Sequence, residues 1–137
     1  LVALGLSAIG KIGPTYSQNF RELEDYYDAL DRDVLPIMRG MELNADDLVR
    51  RAIIQALMCH FELSKESFNI AYLIDFDQYF ATEMKELREY EREGLLEISP
   101  QTISVTPKGR MLIRNICMVF DKYLRTRKER ATYSKVI

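Results

Sequence analysis

The stretch Val105–Leu124 reads VTPKGRMLIRNICMVFDKYL. Thr106 followed by Pro107 opens a helix. A threonine hydroxyl accepts a first-turn N–H, and proline's fixed φ suits the first helical position. Behind this start, Leu112, Ile113, Ile116, Cys117, Phe120, Tyr123 and Leu124 recur at helical spacing. The pattern predicts one long closing helix with an apolar stripe. Arg110, Arg114 and Asn115 interrupt it with polar groups that need partners wherever they are buried.

Working backward, Leu95–Ile98 and Ile103–Val105 read as two short strands joined by the turn Ser99-Pro100-Gln101-Thr102. Before them Phe76, Phe80, Met84, Leu87 and Tyr90 give the buried stripe of a helix from about Phe76 to Glu93, stopped by Gly94. Ser64 starts a shorter helix anchored by Phe68, and Asn44 caps one that runs to about His60. In this last helix Leu48, Ala52, Ile53, Ala56 and Leu57 face inward, with Phe61 just beyond it, while Asp46 and Asp47 suit its first turn. Three helices, a hairpin and a closing helix make the order of a winged-helix domain. The expected fold class is therefore mainly α, with residues 44–137 as a winged-helix-like domain ending in a basic tail.

Residues 1–43 read differently. Val2–Leu6 is a nearly continuous apolar run, as in a strand covered on both faces. Gly10, Gly13 and Pro14 mark a loop. Leu23, Tyr26, Tyr27 and Leu30 give a linking helix over about residues 20–30, and Met38–Leu43 is short and extended. The chain begins with Leu1, which suggests a cut inside a longer protein. On that reading residues 1–9 form an orphaned strand able to self-associate.

The 137 residues carry a net charge of −2, which gives no general case for nucleic acid or an anionic membrane. There is no run of about 18 apolar residues, so no membrane helix is expected. Cys59 and Cys117 read as reduced core thiols of a cytoplasmic protein. A winged helix raises DNA binding, and charge argues against it. The segment from Asp77 to Glu93 holds six acidic residues against three basic, and the hairpin tip has no cation. The basic residues Lys122, Arg125, Arg127, Lys128, Arg130 and Lys135 gather at the end of the chain. They read as complements of a helix C-terminus and a solvated tail, or as a surface for acidic partners.

Several segments, in order, carry a resemblance. They are GLSAI (Gly5–Ile9), YSQN (Tyr16–Asn19), LPIMRG (Leu35–Gly40) and DDLVRRAIIQALMC (Asp46–Cys59). DFDQYF (Asp75–Phe80), EGLLEI (Glu93–Ile98) and the opening stretch continue the series. Together they resemble the C-terminal part of the oxygen-independent coproporphyrinogen III oxidases. The resemblance implies a parent enzyme of haem synthesis that decarboxylates two propionates of coproporphyrinogen III to vinyl groups. It also implies a [4Fe–4S] cluster and S-adenosylmethionine, whose cleavage yields the hydrogen-abstracting radical. The family's CxxxCxxC ligands lie in an N-terminal barrel and do not occur in this sequence. No catalytic residue and no cofactor is therefore expected on this chain itself, and its first partner would be the barrel.

The resemblance further implies that residues 1–43 comprise the end of the barrel and a linker. Ile9, with Ala8 and Ser7 beside it, would lie near a second S-adenosylmethionine, or would simply be apolar packing. Arg50 and Arg51 on one helix and Arg110 and Arg114 on another could meet substrate carboxylates or another domain. They could equally pair with Asp46, Asp47, Asp75 or Asp121. The other reading of the whole is a stand-alone winged-helix module that binds protein or nucleic acid.

Overall fold

The computed structural model describes residues 1–125. The fold is mixed α/β rather than mainly α, because two small three-stranded antiparallel sheets join the helices. The chain divides into two compact units, Leu1–Leu48 and Val49 onward.

The first unit is built on β1 (Ile9–Ile12), β2 (Thr15–Asn19) and β3 (Ile37–Glu42), in that spatial order, with α1 (Leu23–Asp31) between β2 and β3 in sequence. The strand expected at Val2–Leu6 is not formed. Gly5 at φ +96° and Ser7 at φ +55° turn the backbone there, and the strand starts at Ile9 instead. Gly10 lies inside β1 opposite Ser17, and Gly13-Pro14 alone makes the hairpin turn. Gly13, at φ +57°, supplies the positive φ such a turn needs. The opening residues fold back on their own unit. Lys11 N–H donates to the Leu1 carbonyl at 2.8 Å, and Asn19 Nδ2 donates to the Gly5 carbonyl at 2.9 Å.

α2 (Ala45–His60) begins with a reciprocal cap. Asp47 N–H donates to Asn44 Oδ1 at 2.9 Å, and Asn44 N–H donates to Asp47 Oδ2 at 3.0 Å. In the second unit follow β4 (Glu62–Ser64), α3 (Lys65–Tyr72), α4 (Phe76–Tyr79) and α5 (Ala81–Arg92). Then come β5 (Leu96–Ile98), β6 (Thr102–Val105), α6 (Pro107–Arg110) and α7 (Ile113–Met118). The second sheet has the order β4-β6-β5. Its core holds Ile53, Leu57, Leu63, Phe76, Phe80, Leu87, Leu96, Ile103, Ile116 and Phe120, all essentially fully buried. Phe80 meets both Phe76 and Phe120 with ring centroids 5.0 and 5.6 Å apart.

Three expectations are corrected in this unit. The helix from Phe76 to Glu93 is two helices, because Phe80 leaves the helical region at φ −105°, ψ 31°. The closing helix is likewise broken, with Leu112 at φ −110°, ψ 19°. Bonds from residue i to i−3 tighten both its ends, from Leu112 to Gly109 and from Phe120 to Cys117. That tightening brings Val119 into the core beside Ile116 and Phe120, while Leu112 and Tyr123 stay largely exposed. β4 was not anticipated. It pairs Leu63 with Ile103 and turns the hairpin into a sheet.

Candidate functional site

The first unit carries a surface groove of about 550 Å³ on one face of its sheet. Side chains alternate across a sheet, so Ile9, Gln18 and Arg39, which are register neighbours on β1, β2 and β3, form one row of that face. Lys11, Tyr16 and Met41 form the next row. Ile9, Tyr16, Gln18, Arg39 and Met41 line the groove. The Arg39 Nε and Nη2 groups both donate to Gln18 Oε1, at 3.0 and 2.7 Å. Ile9 is 59% exposed at the start of its strand. Ser7 and Ala8 are held by the backbone: Ser7 N–H donates to the Phe20 carbonyl at 2.7 Å, and the Ala8 carbonyl accepts from Asn19 N–H at 3.0 Å.

The four arginines singled out from the sequence do not converge. Arg50 belongs to a buried network in the second unit. Its Nη1 pairs with Glu83 Oε1 at 2.9 Å and donates to the Phe120 carbonyl at 3.2 Å. Its guanidinium also lies over the Phe80 ring, 5.2 Å from the centroid. Arg51 is half-buried, and its Nη1 has no hydrogen-bond acceptor among the described residues. Arg110 stacks on the Phe61 ring at 4.6 Å, a cation–π contact at the surface. Arg114 is exposed.

Glu83 entered the charge argument as one of six acids that would have met phosphates. It is buried instead and serves two cations, since Arg125 Nη1 stands 3.4 Å from the same oxygen. Arg125 also reaches Glu86 at 2.9 Å and the Val119 carbonyl at 3.2 Å. It is therefore a tied residue rather than part of a solvated tail. Arg127, Lys128, Arg130 and Lys135 lie outside the described residues. A second pair missed by sequence reasoning joins buried Lys65 to Asp77 at 2.8 Å, which removes Asp77 from the free acids of that segment. Gln18 and Arg39 were also missed as a pair. They stand inside quoted motifs, but their contact depends on strand register.

The two cysteines sit in different surroundings. Cys117 is buried as expected, but Cys59 is exposed near the end of α2. Among the described residues no three metal-ligating side chains gather, so these residues do not fit the ligand set of an iron–sulfur cluster. Burial pushes the Cys117 thiol up to about 11 from 9.0. The folded state then binds the proton more tightly than the unfolded chain. Stability from this group is fully present at neutral pH and is lost as pH rises from about 9 through about 11. Cys117→Ala should remove that part of the alkaline slope in a denaturation series. Iodoacetamide at neutral pH should label Cys59 alone in the folded chain and both thiols after unfolding, as read by peptide mass spectrometry.

Comparison with known proteins places these features in a family. The model of the HemN C-terminal domain matches residues 43–112. An oxygen-independent coproporphyrinogen III oxidase of Pseudomonas aeruginosa is 46% identical over the whole chain, which spans 30% of that relative. A Synechocystis protein of the same description is 41% identical, again over the whole chain and 30% of its own length. A solved structure, described as coproporphyrinogen III oxidase (HemN) from Escherichia coli, a radical SAM enzyme, superposes with a TM-score of 0.84 at 42% identity. That match covers 88% of this chain and 28% of the other. The chain thus spans under a third of the length of these relatives, and over that span it belongs to the HemN C-terminal domain family.

Proposed function

We propose that this chain is the C-terminal part of an oxygen-independent coproporphyrinogen III oxidase. Such an enzyme would act in the cytoplasm, converting coproporphyrinogen III to protoporphyrinogen IX in haem synthesis. The observation that carries the reading is alignment without loss of any segment: 46% identity from the first residue to the last. A shared domain grafted onto an unrelated protein would be expected to match over part of the chain. On this reading the cluster and S-adenosylmethionine belong to the remainder of the enzyme and supply its radical chemistry. This part would be inactive alone and would help to shape the substrate site.

The finer assignments follow the same reading. Residues 1–43 would be the end of the catalytic barrel and its linker, and residues 44–137 a winged-helix-like domain. The order helix, strand, helices and hairpin, with β4 added to the hairpin, supports the latter. Ser7, Ala8 and Ile9 would face S-adenosylmethionine. Arg51, whose buried Nη1 has no acceptor among the described residues, would be the best suited of the four arginines to meet a carboxylate of the barrel or the substrate.

A chimera tests the reading. The C-terminal portion of the Pseudomonas aeruginosa relative would be replaced by this chain, and anaerobic conversion of coproporphyrinogen III followed. Measurable turnover is expected. A chimera that folds, holds its cluster and still forms no product would sink the assignment.

A further inference from the structure

We propose that the groove on the first sheet binds a carboxylate of a tetrapyrrole through Arg39, with Gln18 as the residue that aims it. This deepens the functional reading above and rests on it for the identity of the ligand. The observation is a guanidinium that is held but not neutralised. Both Arg39 bonds go to a single neutral amide oxygen, Gln18 Oε1. Gln18 thereby fixes the plane of the fork, and among the described residues no carboxylate neutralises its charge. An arginine used for stability alone would be expected to pair with a carboxylate, as Arg50 does with Glu83.

The rest of the face agrees. Its two rows contain Ile9, Gln18 and Arg39, then Lys11, Tyr16 and Met41: two cations and no acid. The nearest acid on β3, Glu42, points to the opposite face by strand alternation. Ile9, Tyr16 and Met41 give the groove apolar walls, and its volume of about 550 Å³ is within the usual range for small-molecule sites. An apolar ring bearing several carboxylates matches this arrangement. The ring would cover Tyr16 and Met41, with Ile9 left to S-adenosylmethionine at the edge of the groove. One carboxylate would take the Arg39 fork in a bidentate contact, and a second would be within the influence of Lys11.

The experiment is a fluorescence titration of the full 137-residue chain with coproporphyrin III, a stable oxidised form of the candidate substrate, and with its tetramethyl ester. Binding of the free acid is expected, with the ester weaker by roughly tenfold or more, as for loss of charged hydrogen bonds. Arg39→Gln should weaken the acid by a similar factor, and Arg39→Lys by less. Gln18→Glu is the decisive variant. It keeps or strengthens a structural contact with Arg39 while neutralising the guanidinium, so it should not lower the melting temperature and should abolish tight binding.

No binding by the unaltered chain would overturn the inference, as would equal binding of acid and ester, or binding that survives Gln18→Glu. S-adenosylmethionine bound in the same groove with the same dependence on Arg39 would overturn the tetrapyrrole assignment. The chimera separates the two levels. Turnover there without binding here leaves the functional reading standing and removes this site. Binding here without turnover there does the reverse.

Discussion

Gly109→Ala should destabilise the second unit by about 3 kcal/mol or more, since it combines overpacking with the loss of a hydrogen bond. A Cβ built at Gly109 would run into the Leu95 carbonyl oxygen and lie 3.0 Å from a Val105 methyl. The carbonyl is backbone and cannot rotate aside. It is also engaged, accepting from Thr106 N–H at 3.1 Å. Thr106 in turn caps α6 through Gly109 N–H at 3.1 Å and donates its hydroxyl to the Gly94 carbonyl at 2.8 Å. Relieving the clash therefore means parting α6 from the segment after α5 and breaking Thr106's bonds to the Leu95 and Gly94 carbonyls. In a domain of this size each kcal/mol shifts the melting temperature by about 4–8 °C, so a drop of well over 10 °C is expected. Lys108→Ala is the control. It removes one exposed bond to the Glu93 carbonyl and should cost under about 1 kcal/mol. A Gly109→Ala variant melting within about 3 °C of the parent would mean that this junction is not rigid.

Glu83→Ala should cost about 3–5 kcal/mol, the usual penalty for removing one partner of a buried ion pair. The Glu83 side chain is 6% exposed and that of Arg50 15%, so Arg50 would be left largely desolvated beside the Phe80 ring. Arg125 would lose one of its two carboxylates and keep Glu86. Replacing both members with apolar residues, Arg50→Met with Glu83→Leu, should recover much of the loss, because neither member of this buried pair is left behind without the other. The comparison is made by urea denaturation at low and high salt. The exposed Arg92–Glu89 pair, 3.9 Å apart, should by contrast contribute little and fade with salt. If the double variant is no more stable than Glu83→Ala, the network contributes through the arginine stem or its carbonyl contact instead.

What the sequence made legible was local. Thr106-Pro107, Ser64, and Asn44 with Asp47 are capping signals that act within one turn, and the structure uses each of them. The stripe Phe76, Phe80, Met84 and Leu87 was legible because periodicity survives a one-residue break. The break itself was not legible, since Phe80 and Leu112 are residues that a helix accepts. β4 was hidden because three residues carry no period, and its existence depends on Ile103 standing opposite Leu63. The choice of ion-pair partners was equally hidden. Arg50 pairs with Glu83, thirty-three residues away, a partner that no local signal marks. In the first unit, the apolar run at Val2–Leu6 looked like a strand, yet Gly5 and Ser7 turn it. The Arg39–Gln18 pair became visible only once the register between β2 and β3 was known.

The pairing of β4 with β6 has a consequence for the order in which the chain can fold during synthesis. Glu62 lies opposite Ser104, so α3, α4 and α5 are enclosed between the two paired strands. The β5–β6 hairpin closes a short loop and forms cheaply, but β4 must wait for residue 104 before it has an edge to join. Until then Leu63, Phe76 and Leu87 lack the inner face of the sheet, which Ile103 and Val105 supply. A ribosome adding about 5–20 residues per second leaves these side chains without their full cover for a few seconds. Buried Lys65 and the acid Asp77 lie within that interval and meet each other across twelve residues, so a polar tie is available to the nascent helices before the apolar core can close.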